Sequence, residues 1–400
     1  MQINWKTCYF TRSAKFILFA IFTACSIIYF SCDIYDFRSP EKFSGDFLFN
    51  PYKDVSPDWQ KANFHAHSVA WNGVTNGKQD VADIIKLYQQ KQYAYACVSN
   101  YESIAKEDAR PNAVNVYEHG YNIFKTHQLV IMPQQVCYSD FPLFEFASSK
   151  QFIINKLNTE AKAVALPHPV VRNGYSDDDL KKISGYNLIE VLNHSCNSAH
   201  KWDVALSAGK PVWIVGDDDT HDVLDKSQTF TNWTMIDCHQ HDKDSLINNL
   251  INGNAYAVNG NNSFNDNELL YESINDMDIT IAFERAADSI KLIGQNGLEK
   301  RIVFDTDKIN YRFTAEDSYI RAVVYSKSSV IYLNPTIRYS GVVMPQNKST
   351  AVINTHETLL YRSVLIAAWL AVFILYFFPN TISYKPVSIN LGYKKRAWIN

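Results

Sequence analysis

The sequence has no surplus of charge of either sign. Its 38 Lys and Arg residues nearly balance its 41 Asp and Glu residues, which leaves a formal net charge of −3. Without a basic excess, electrostatics give no argument for nucleic acid as a partner. The 24 Tyr and 23 Phe residues are scattered rather than interleaved with Lys and Arg. They therefore favour packing in the core and at interfaces over a platform on which bases stack.

Cysteines are too few and too scattered to suggest a disulfide scaffold. Cys8 and Cys25 fall in the N-terminal tail and the first hydrophobic segment, and the other five of the seven leave at least one thiol unpaired. Cys97 lies in an apolar run, which predicts a buried free thiol. The chain also lacks repeats and low-complexity tracts. The glycine-rich turn at 294–297 lacks the lysine pattern of a phosphate-binding loop, so it predicts a hairpin.

Two uncharged hydrophobic runs lie near the ends of the chain, at residues 16–32 and 363–378, the second extended by 359–361. Each is close to the ~17–25 residues that span a bilayer. Lys6, Arg12 and Lys15 precede the first run without an acid, and the tail after the second is basic as well. The positive-inside rule then places both termini in the cytoplasm and the main domain outside it. The alternative for the first run is a cleaved signal peptide.

Between these runs the hydrophobic pattern divides the chain in two. Up to about residue 252, short apolar runs alternate with helical patterns, which favours an α/β barrel or a doubly wound sheet. Asp80 and Ser176 are predicted N-caps, and helices are also expected at 199–208 and 244–252. Later residues predict short antiparallel strands. The strands expected in the first part are 62–67, 94–98, 129–136, 163–166, 187–192, 212–216 and 233–236.

Histidines are unevenly distributed, with ten of the eleven between His65 and His241. His65 and His67 end the first predicted strand, where the two-residue period points both side chains the same way. Two imidazoles held side by side are well placed to bind one divalent cation. His168, His194 and the Asp219-x-His221 pair follow later predicted strands. The carboxyl ends of strands in a parallel α/β barrel meet on one face, so these side chains are expected to converge.

This ordered set resembles the PHP (polymerase and histidinol phosphatase) family of metal-dependent phosphoesterases, over about residues 61–222. The resemblance implies a distorted seven-stranded β/α barrel that binds up to three divalent metals at its C-terminal face. It also implies that His65, His67, His168, Asp219 and His221 are metal ligands, with His194 in a ligand-bearing or site-lining loop. His221 and His168 are the predicted proton donors.

The chain departs from the family pattern at three predicted positions. Asn100 and Tyr101 stand where the second strand usually ends in Asp and His, and Gln135 where the third usually ends in a bridging Glu. Each change removes a strong donor, so one or two ions of Zn, Mn or Fe are expected instead of three. Glu102, Glu107 and Asp108 are candidates for a displaced carboxylate, but a solvated loop is favoured. Solvent or interface roles are favoured for His119 and His127, a structural role for His200, and exposed loop positions for His239 and His241.

These inferences predict a membrane-anchored phosphoesterase that hydrolyses a phosphate ester or phosphodiester of the envelope with metal-activated water. Two alternatives stay open: a degenerate relative that only binds a ligand or partner, and a structural envelope component. The expected organisation is a cytoplasmic tail (1–15), a transmembrane helix (16–32), a linker (33–60), the barrel (61–255), a β-rich appendage (256–340), a linker (341–358), a transmembrane helix (359–378) and a basic cytoplasmic tail (379–400).

Overall fold

The computed structural model describes residues 12–55, 58–105, 113–238 and 242–377. Several residues of the sequence analysis lie outside these ranges: Lys6, Cys8, Glu107, Asp108, His239, His241 and the basic C-terminal tail. The chain divides into two compact units, residues 31–354 and a terminal unit that contains the two hydrophobic segments.

The first half of the chain carries the predicted alternation of strands and helices. In chain order its elements are α1 (Arg12–Ser31), β1 (Tyr35–Asp36), β2 (Phe47–Phe49), β3 (Trp59–Asn63), α2 (Val81–Gln90), β4 (Tyr93–Ala96), β5 (Val116–His119), β6 (Gln128–Ile131), α3 (Ala147–Asn158), β7 (Ala163–Leu166), α4 (Asp177–Lys182), β8 (Leu188–Asn193), β9 (Cys196–Asn197), α5 (Ala199–Ser207), β10 (Trp213–Gly216), β11 (Asn232–Asp237) and α6 (Lys243–Asn252).

The second half is rich in strands, as the sequence predicts. Its elements are β12 (Ala255–Asn259), β13 (Leu269–Asn275), β14 (Asp278–Gly294), β15 (Leu298–Arg312), β16 (Tyr319–Tyr325), β17 (Val330–Leu333), β18 (Thr336–Tyr339), β19 (Val352–Ile353) and α7 (Thr355–Phe377). The long strands β14 and β15 are joined through residues 295–297, so the hairpin predicted at 294–297 is confirmed.

Local signals place the helix starts. The Asp80 side chain accepts a hydrogen bond from the Asp83 backbone N–H at 2.8 Å and caps α2. Ser176 and Asp179 form a reciprocal capping box at the start of α4. Both predicted caps are therefore confirmed. Strand β5 (Val116–His119), which pairs antiparallel with β6, is not among the strands that the sequence predicts.

The strands form two large sheets. One runs in the order β10-β8-β7-β6-β5, and its strands β7, β8 and β10 are parallel and buried along their whole length. The other contains β13-β14-β16-β17-β12-β11-β3-β4. Two single bridges lie outside these strands. Ala66, after β3, pairs with Thr220, after β10, and Tyr101, after β4, pairs with Glu118 of β5.

A mixed α/β fold is thus present, but the predicted barrel is not confirmed. No continuous ladder closes either sheet among the residues that the structure describes. The region predicted as barrel and the region predicted as appendage also share one sheet, because β12 pairs with β11 and β11 pairs with β3. In that arrangement β3 lies in the interior of a sheet, which holds the start of the His65–His67 segment firmly.

A buried ion pair ties the β-rich region to α5. The Arg321 guanidinium of β16 contacts the Asp203 carboxylate of α5 through two hydrogen bonds of 2.8 and 2.7 Å. The guanidinium also lies 5.0 Å from the centre of the buried Trp202 ring. A bidentate Arg–carboxylate pair of this kind fixes the relative position of the two elements.

The terminal unit consists of helices α1 and α7. Residues 14–31 and 355–377 are long and apolar enough to cross a membrane by length and composition. Within this unit the Phe19 ring packs against Trp369 and Phe373, with ring centres 5.1 and 5.4 Å apart. These contacts hold the two helices together through aromatic side chains.

Candidate metal centre

Two short segments that follow strands β3 and β10 lie side by side. The His67 backbone N–H donates to the Thr220 carbonyl at 2.8 Å, and the Asp219 N–H donates to the His65 carbonyl at 2.8 Å. This parallel pairing places the His65-x-His67 and Asp219-x-His221 motifs next to each other. The rings of His67 and His221 consequently stack with their centres 4.3 Å apart.

A carboxylate from strand β5 joins these histidines. Glu118 Oε2 lies 3.3 Å from His65 Nε2 and 3.1 Å from His67 Nε2. The other oxygen, Oε1, lies 3.1 Å from His168 Nε2 and also contacts His127 Nδ1. A single buried carboxylate therefore faces four imidazoles, two on each oxygen.

Asp219 provides a second carboxylate that contacts two of the same histidines. Its Oδ1 lies 3.2 Å from Nε2 of His65 and 3.2 Å from Nε2 of His67. Each carboxylate belongs to two sets of three ligand atoms that lie within 4.8 Å of one another. These four sets are His65–His67–Glu118, His65–His168–Asp219, His67–Asp219–His221 and Glu118–His127–His168.

Several atoms of the cluster are buried without a hydrogen-bond partner among the described residues: His65 Nε2, His67 Nε2, Glu118 Oε2 and Asp219 Oδ1. The N···O separations of 3.1–3.3 Å bring these atoms together without hydrogen-bond geometry. Buried polar atoms are nearly always satisfied, so four such atoms in one place need an explanation. Two imidazole nitrogens and two carboxylate oxygens form a donor set that suits a divalent transition metal.

A layer behind the cluster fixes its orientation. Glu190 Oε1 lies 2.9 Å from His65 Nδ1, and Oε2 accepts from the His168 backbone N–H at 2.7 Å. Asn193 Nδ2 donates to Glu190 Oε2 at 3.0 Å and to Asp219 Oδ2 at 3.2 Å. With the Nδ1–H of His65 donated to Glu190, Nε2 is the nitrogen that faces the cluster and would bind a metal. A carboxylate behind a ligating histidine commonly sets the tautomer in this way.

Asp217 and Asp218, which precede Asp219, have structural roles. Asp217 Oδ1 accepts from the Phe64 backbone N–H at 2.5 Å. Asp218 accepts from the backbone N–H groups of Phe230, Thr231 and Asn232 at 2.7–3.0 Å. These bonds anchor the ends of β3 and β11, so only the third aspartate of the run faces the histidines.

Burial and charge act against each other in the cluster. Burial alone would lower the pKa of His65, but Asp219, Glu118 and Glu190 raise it well above the usual value. Burial would raise the pKa of Glu118, yet the neighbouring histidines, His127 first, hold it well below the usual range. Burial and the neighbouring His67 lower the pKa of His221 to about 4. The ring of His221 is therefore neutral at pH 7, the form that binds a metal.

The structure brings together most of the predicted ligands. His65, His67, His168, Asp219 and His221 belong to the sets described above. His194 does not, because its Nδ1 lies 2.6 Å from the Asp218 carbonyl oxygen instead. The three predicted departures from the family pattern, Asn100, Tyr101 and Gln135, differ in their position relative to the cluster.

Asn100 is buried and holds the loop after His67, accepting from the Ser68 N–H at 2.8 Å and donating to Ser68 Oγ at 2.7 Å. The Tyr101 ring stacks on the His67 ring at 4.5 Å. Gln135 is exposed beyond the end of β6 and is not part of the cluster. The interpretation that Gln135 replaces a bridging Glu is therefore wrong, because Glu118 occupies the central position between the histidines.

Glu118 is not among the predicted ligands because strand β5, which carries it, has little signal in the sequence. Its four residues, Val116–His119, are buried without a polar–apolar alternation, and short runs of that kind give little periodic signal. The solvent roles favoured for His119 and His127 are also wrong, since both side chains are buried. His119 instead lies 2.5 Å from Gln128 Oε1 and 2.9 Å from the Ser139 carbonyl.

Other residues stand apart from the cluster. The exposed ring of His200 pairs with Asp177 at 2.9 Å, in agreement with a structural role. Glu102 is buried and accepts from the Gly120 N–H at 2.7 Å, and burial raises its pKa to about 7. Cys97 is buried, as predicted.

Comparisons with known proteins give a fold likeness only. No protein-family model matches the sequence, and no curated protein matches it. A crystal structure from Bacteroides vulgatus ATCC 8482, of a two-domain protein containing a predicted PHP-like metal-dependent phosphoesterase, is similar in structure. The match covers 79% of this chain and 99% of that chain, at 12% identity and a TM-score of 0.36. Since the likeness is weak, functional inference depends on the cluster itself.

Proposed function

We propose that this protein is a PHP-like metal-dependent phosphoesterase that hydrolyses a phosphate ester or phosphodiester. The observation that carries the proposal is the convergence of five histidines on Glu118 and Asp219, with buried ligand atoms that lack hydrogen bonds. His65, His67, Glu118 and Asp219 would hold one cation of Zn, Mn or Fe. His127 and His168, on the second oxygen of Glu118, are the natural ligands of a second cation.

A divalent cation would lower the pKa of water towards ~7 and stabilise negative charge on a phosphoryl group. The residues of this chain would orient the metal ligands and keep bulk water away from them. Glu190 and Asn193 orient the ligands, and the side chains of His65 and Glu118 are wholly buried. His221 and Asp219 are the more exposed members, with 20 and 12% of their side-chain surface accessible. Substrate would therefore enter past these two residues.

His168 and His221 were also predicted to donate a proton to the leaving group. In the structure His168 Nε2 faces Glu118, and His221 Nε2 is buried near the cluster without a hydrogen bond to a described residue. We therefore count both as metal ligands in this proposal. Proton donation by either residue stays a prediction.

Metal counting tests the proposal directly. The full chain, purified in detergent without chelator, is loaded with Zn²⁺ or Mn²⁺, desalted and analysed for metal. We expect at least about one ion per chain, and hydrolysis of p-nitrophenyl phosphate or bis-p-nitrophenyl phosphate. The double variant His65→Ala/His67→Ala should lose both properties, whereas His200→Ala, an exposed histidine elsewhere, should keep them. Metal in fewer than about a tenth of the wild-type chains would refute the proposal.

A second candidate is a metal-binding module without catalytic activity. The observation that favours it is Tyr101, whose ring covers one face of His67 where an imidazole ligand was expected from the resemblance. Asn100, held by Ser68, likewise contributes no anionic oxygen. If the protein holds metal with the expected stoichiometry but hydrolyses neither ester, this candidate replaces the enzyme.

We also propose that α1 and α7 anchor the protein in the cell membrane, with both termini in the cytoplasm and residues 31–354 outside it. The support is the apolar length of the two helices and the basic residues of the flanking sequence. The substrate would then be an envelope phosphate ester. A topology reporter fused after Asn400 should be active in the cytoplasm, and activity on the outer side would refute the orientation.

A further inference from the structure

Four large apolar side chains are exposed on the loops that follow the metal-binding motifs. Val69, Trp71 and Val74 lie on the loop after His67, with exposed fractions of 47, 51 and 86%. Leu224 lies just after His221 and is 69% exposed. We call these four residues the apolar rim. Scattered exposed apolar residues are normal, but a group of them beside a site indicates a binding surface.

Hydrogen bonds connect the loop that carries Val69, Trp71 and Val74 to the metal centre. The Trp71 indole N–H donates to the Tyr101 carbonyl at 2.7 Å, and the Tyr101 ring stacks on His67. On the other side, the Lys78 N–H donates to the His221 carbonyl at 2.9 Å. The loop is thus joined through Tyr101 to His67 and through Lys78 to His221, and His221 is one of the two more exposed members of the cluster.

The backbone that presents Trp71 is strained. Trp71 has φ of 51° and Asn72 has φ of 54°, in the left-handed region that bulky residues avoid. Strain of this kind concentrates at ligand-contacting segments.

A cation lies at the same place. Lys125 Nζ is 5.3 Å from the centre of the Tyr101 ring, and Lys125 forms no ion pair with any residue in the described ranges. A half-buried ammonium beside the cluster is suited to an anionic group such as phosphate.

We propose that the ligand of this site is an amphiphilic phosphate ester. Its phosphate would occupy the metal centre next to Lys125, and its apolar ester group would lie over the apolar rim. This inference depends on the proposed function for the position of the phosphate. It adds the substrate class, which is phosphate esters whose organic group is an apolar alkyl or aryl group close to the ester oxygen.

Binding of alkylphosphonates tests the inference without turnover, because their carbon–phosphorus bond resists hydrolysis. Calorimetry on the metal-loaded full chain in detergent gives Kd for ethyl-, butyl- and hexylphosphonate. Complete burial of one methylene corresponds to roughly four-fold in affinity, and half of that burial to about two-fold. Four added methylenes should therefore lower Kd about sixteen-fold between ethyl- and hexylphosphonate.

Three variants separate the roles of the residues. Trp71→Ser/Val74→Ser should reduce the chain-length effect to less than about three-fold and leave the Kd of ethylphosphonate within about two-fold of wild type. Lys125→Gln should raise Kd by a similar factor for every member of the series. Phe304→Ser, which removes an exposed apolar ring on β15, is the matched control and should behave like wild type. The same micelles are present throughout, so partition into detergent cancels in the comparison.

The outcomes are distinct from those of the metal and hydrolysis tests. A flat dependence on chain length in the wild type overturns the inference, as does a dependence that survives Trp71→Ser/Val74→Ser. Failure of metal-loaded protein to bind any of the phosphonates overturns it too. A clear chain-length effect without hydrolysis of any ester supports it, while removing the enzymatic part of the proposed function.

Discussion

Replacing Glu190 by Gln tests whether the metal centre is oriented from behind. The Glu190 carboxylate is fully buried and accepts from three donors: His65 Nδ1 at 2.9 Å, the His168 backbone N–H at 2.7 Å and Asn193 Nδ2 at 3.0 Å. Gln has one acceptor oxygen and an NH₂ group that only donates. At least one of the three donors must therefore face an NH₂ group.

The size of the effect follows from this mismatch. A buried donor left without a partner costs about 1–3 kcal/mol, so the metal-free variant should be less stable by that amount. If the amide NH₂ turns towards His65, the Nδ1 position must accept, and the proton moves to Nε2, which faces the cluster. Loss of a partner behind a ligating histidine commonly weakens metal affinity 10–100-fold, which we expect here.

The assay is competition for Zn²⁺ between the full chain and a chromogenic chelator, combined with urea unfolding of the metal-free protein. Glu272→Gln is the matched control, because it replaces a buried carboxylate by an amide away from the cluster. It should leave metal affinity unchanged. Equal Zn²⁺ affinity of Glu190→Gln and wild type would refute the idea that Glu190 orients His65.

Three further predictions follow from individual side chains. Glu118→Gln should lower metal content at least about tenfold, because it removes the charge shared by four imidazoles. The exposed Gln135→Glu should not change metal content. A higher metal content in Gln135→Glu would contradict the assignment of Glu118 as the carboxylate between the histidines. Burial raises the pKa of Glu272 to about 7, so its stabilising contribution is complete below pH ~4.5 and is lost as the pH rises through ~7. Glu272→Gln should accordingly match wild type near pH 4.5 and be more stable by up to about 3 kcal/mol at pH 8, and a pH-independent difference between the two unfolding curves would contradict this. Asp203→Asn should cost about 3–5 kcal/mol in urea unfolding, because it leaves the buried Arg321 guanidinium without its counter-charge; a loss below about 1 kcal/mol would show that the pair is dispensable.

Elements with strong local signals were predictable from the sequence. Helices α2 and α4 have a polar cap followed by a helical pattern, and both begin where the cap predicts. Strands β7 and β10 are continuous apolar runs, β8 is apolar apart from Glu190 and Asn193, and each of the three follows a helix, which is typical of buried parallel strands. The pairing of β11 with both β3 and β12 was not predictable, because register between distant strands depends on the packing of the whole sheet.

The candidate site was predictable only in part, for a similar reason. His65, His67, Asp219 and His221 occur as pairs with a spacing of two, so their common direction follows from strand geometry. Glu118 has no such partner in the sequence. Its neighbour His119 points away from the cluster, towards Gln128 and Ser139, although the two residues are adjacent.

The sequence alone determined which residues can bind a metal and which segments can lie in a membrane, because side-chain chemistry and the length of an apolar run are local properties. Only the tertiary structure decided which carboxylate stands between the imidazoles. That choice depends on the approach of β5 to segments about 50 residues away in either direction, the pairs Glu118–His65 and Glu118–His168 among them. A contact between residues so far apart is set by how the sheets pack, and no local pattern encodes it.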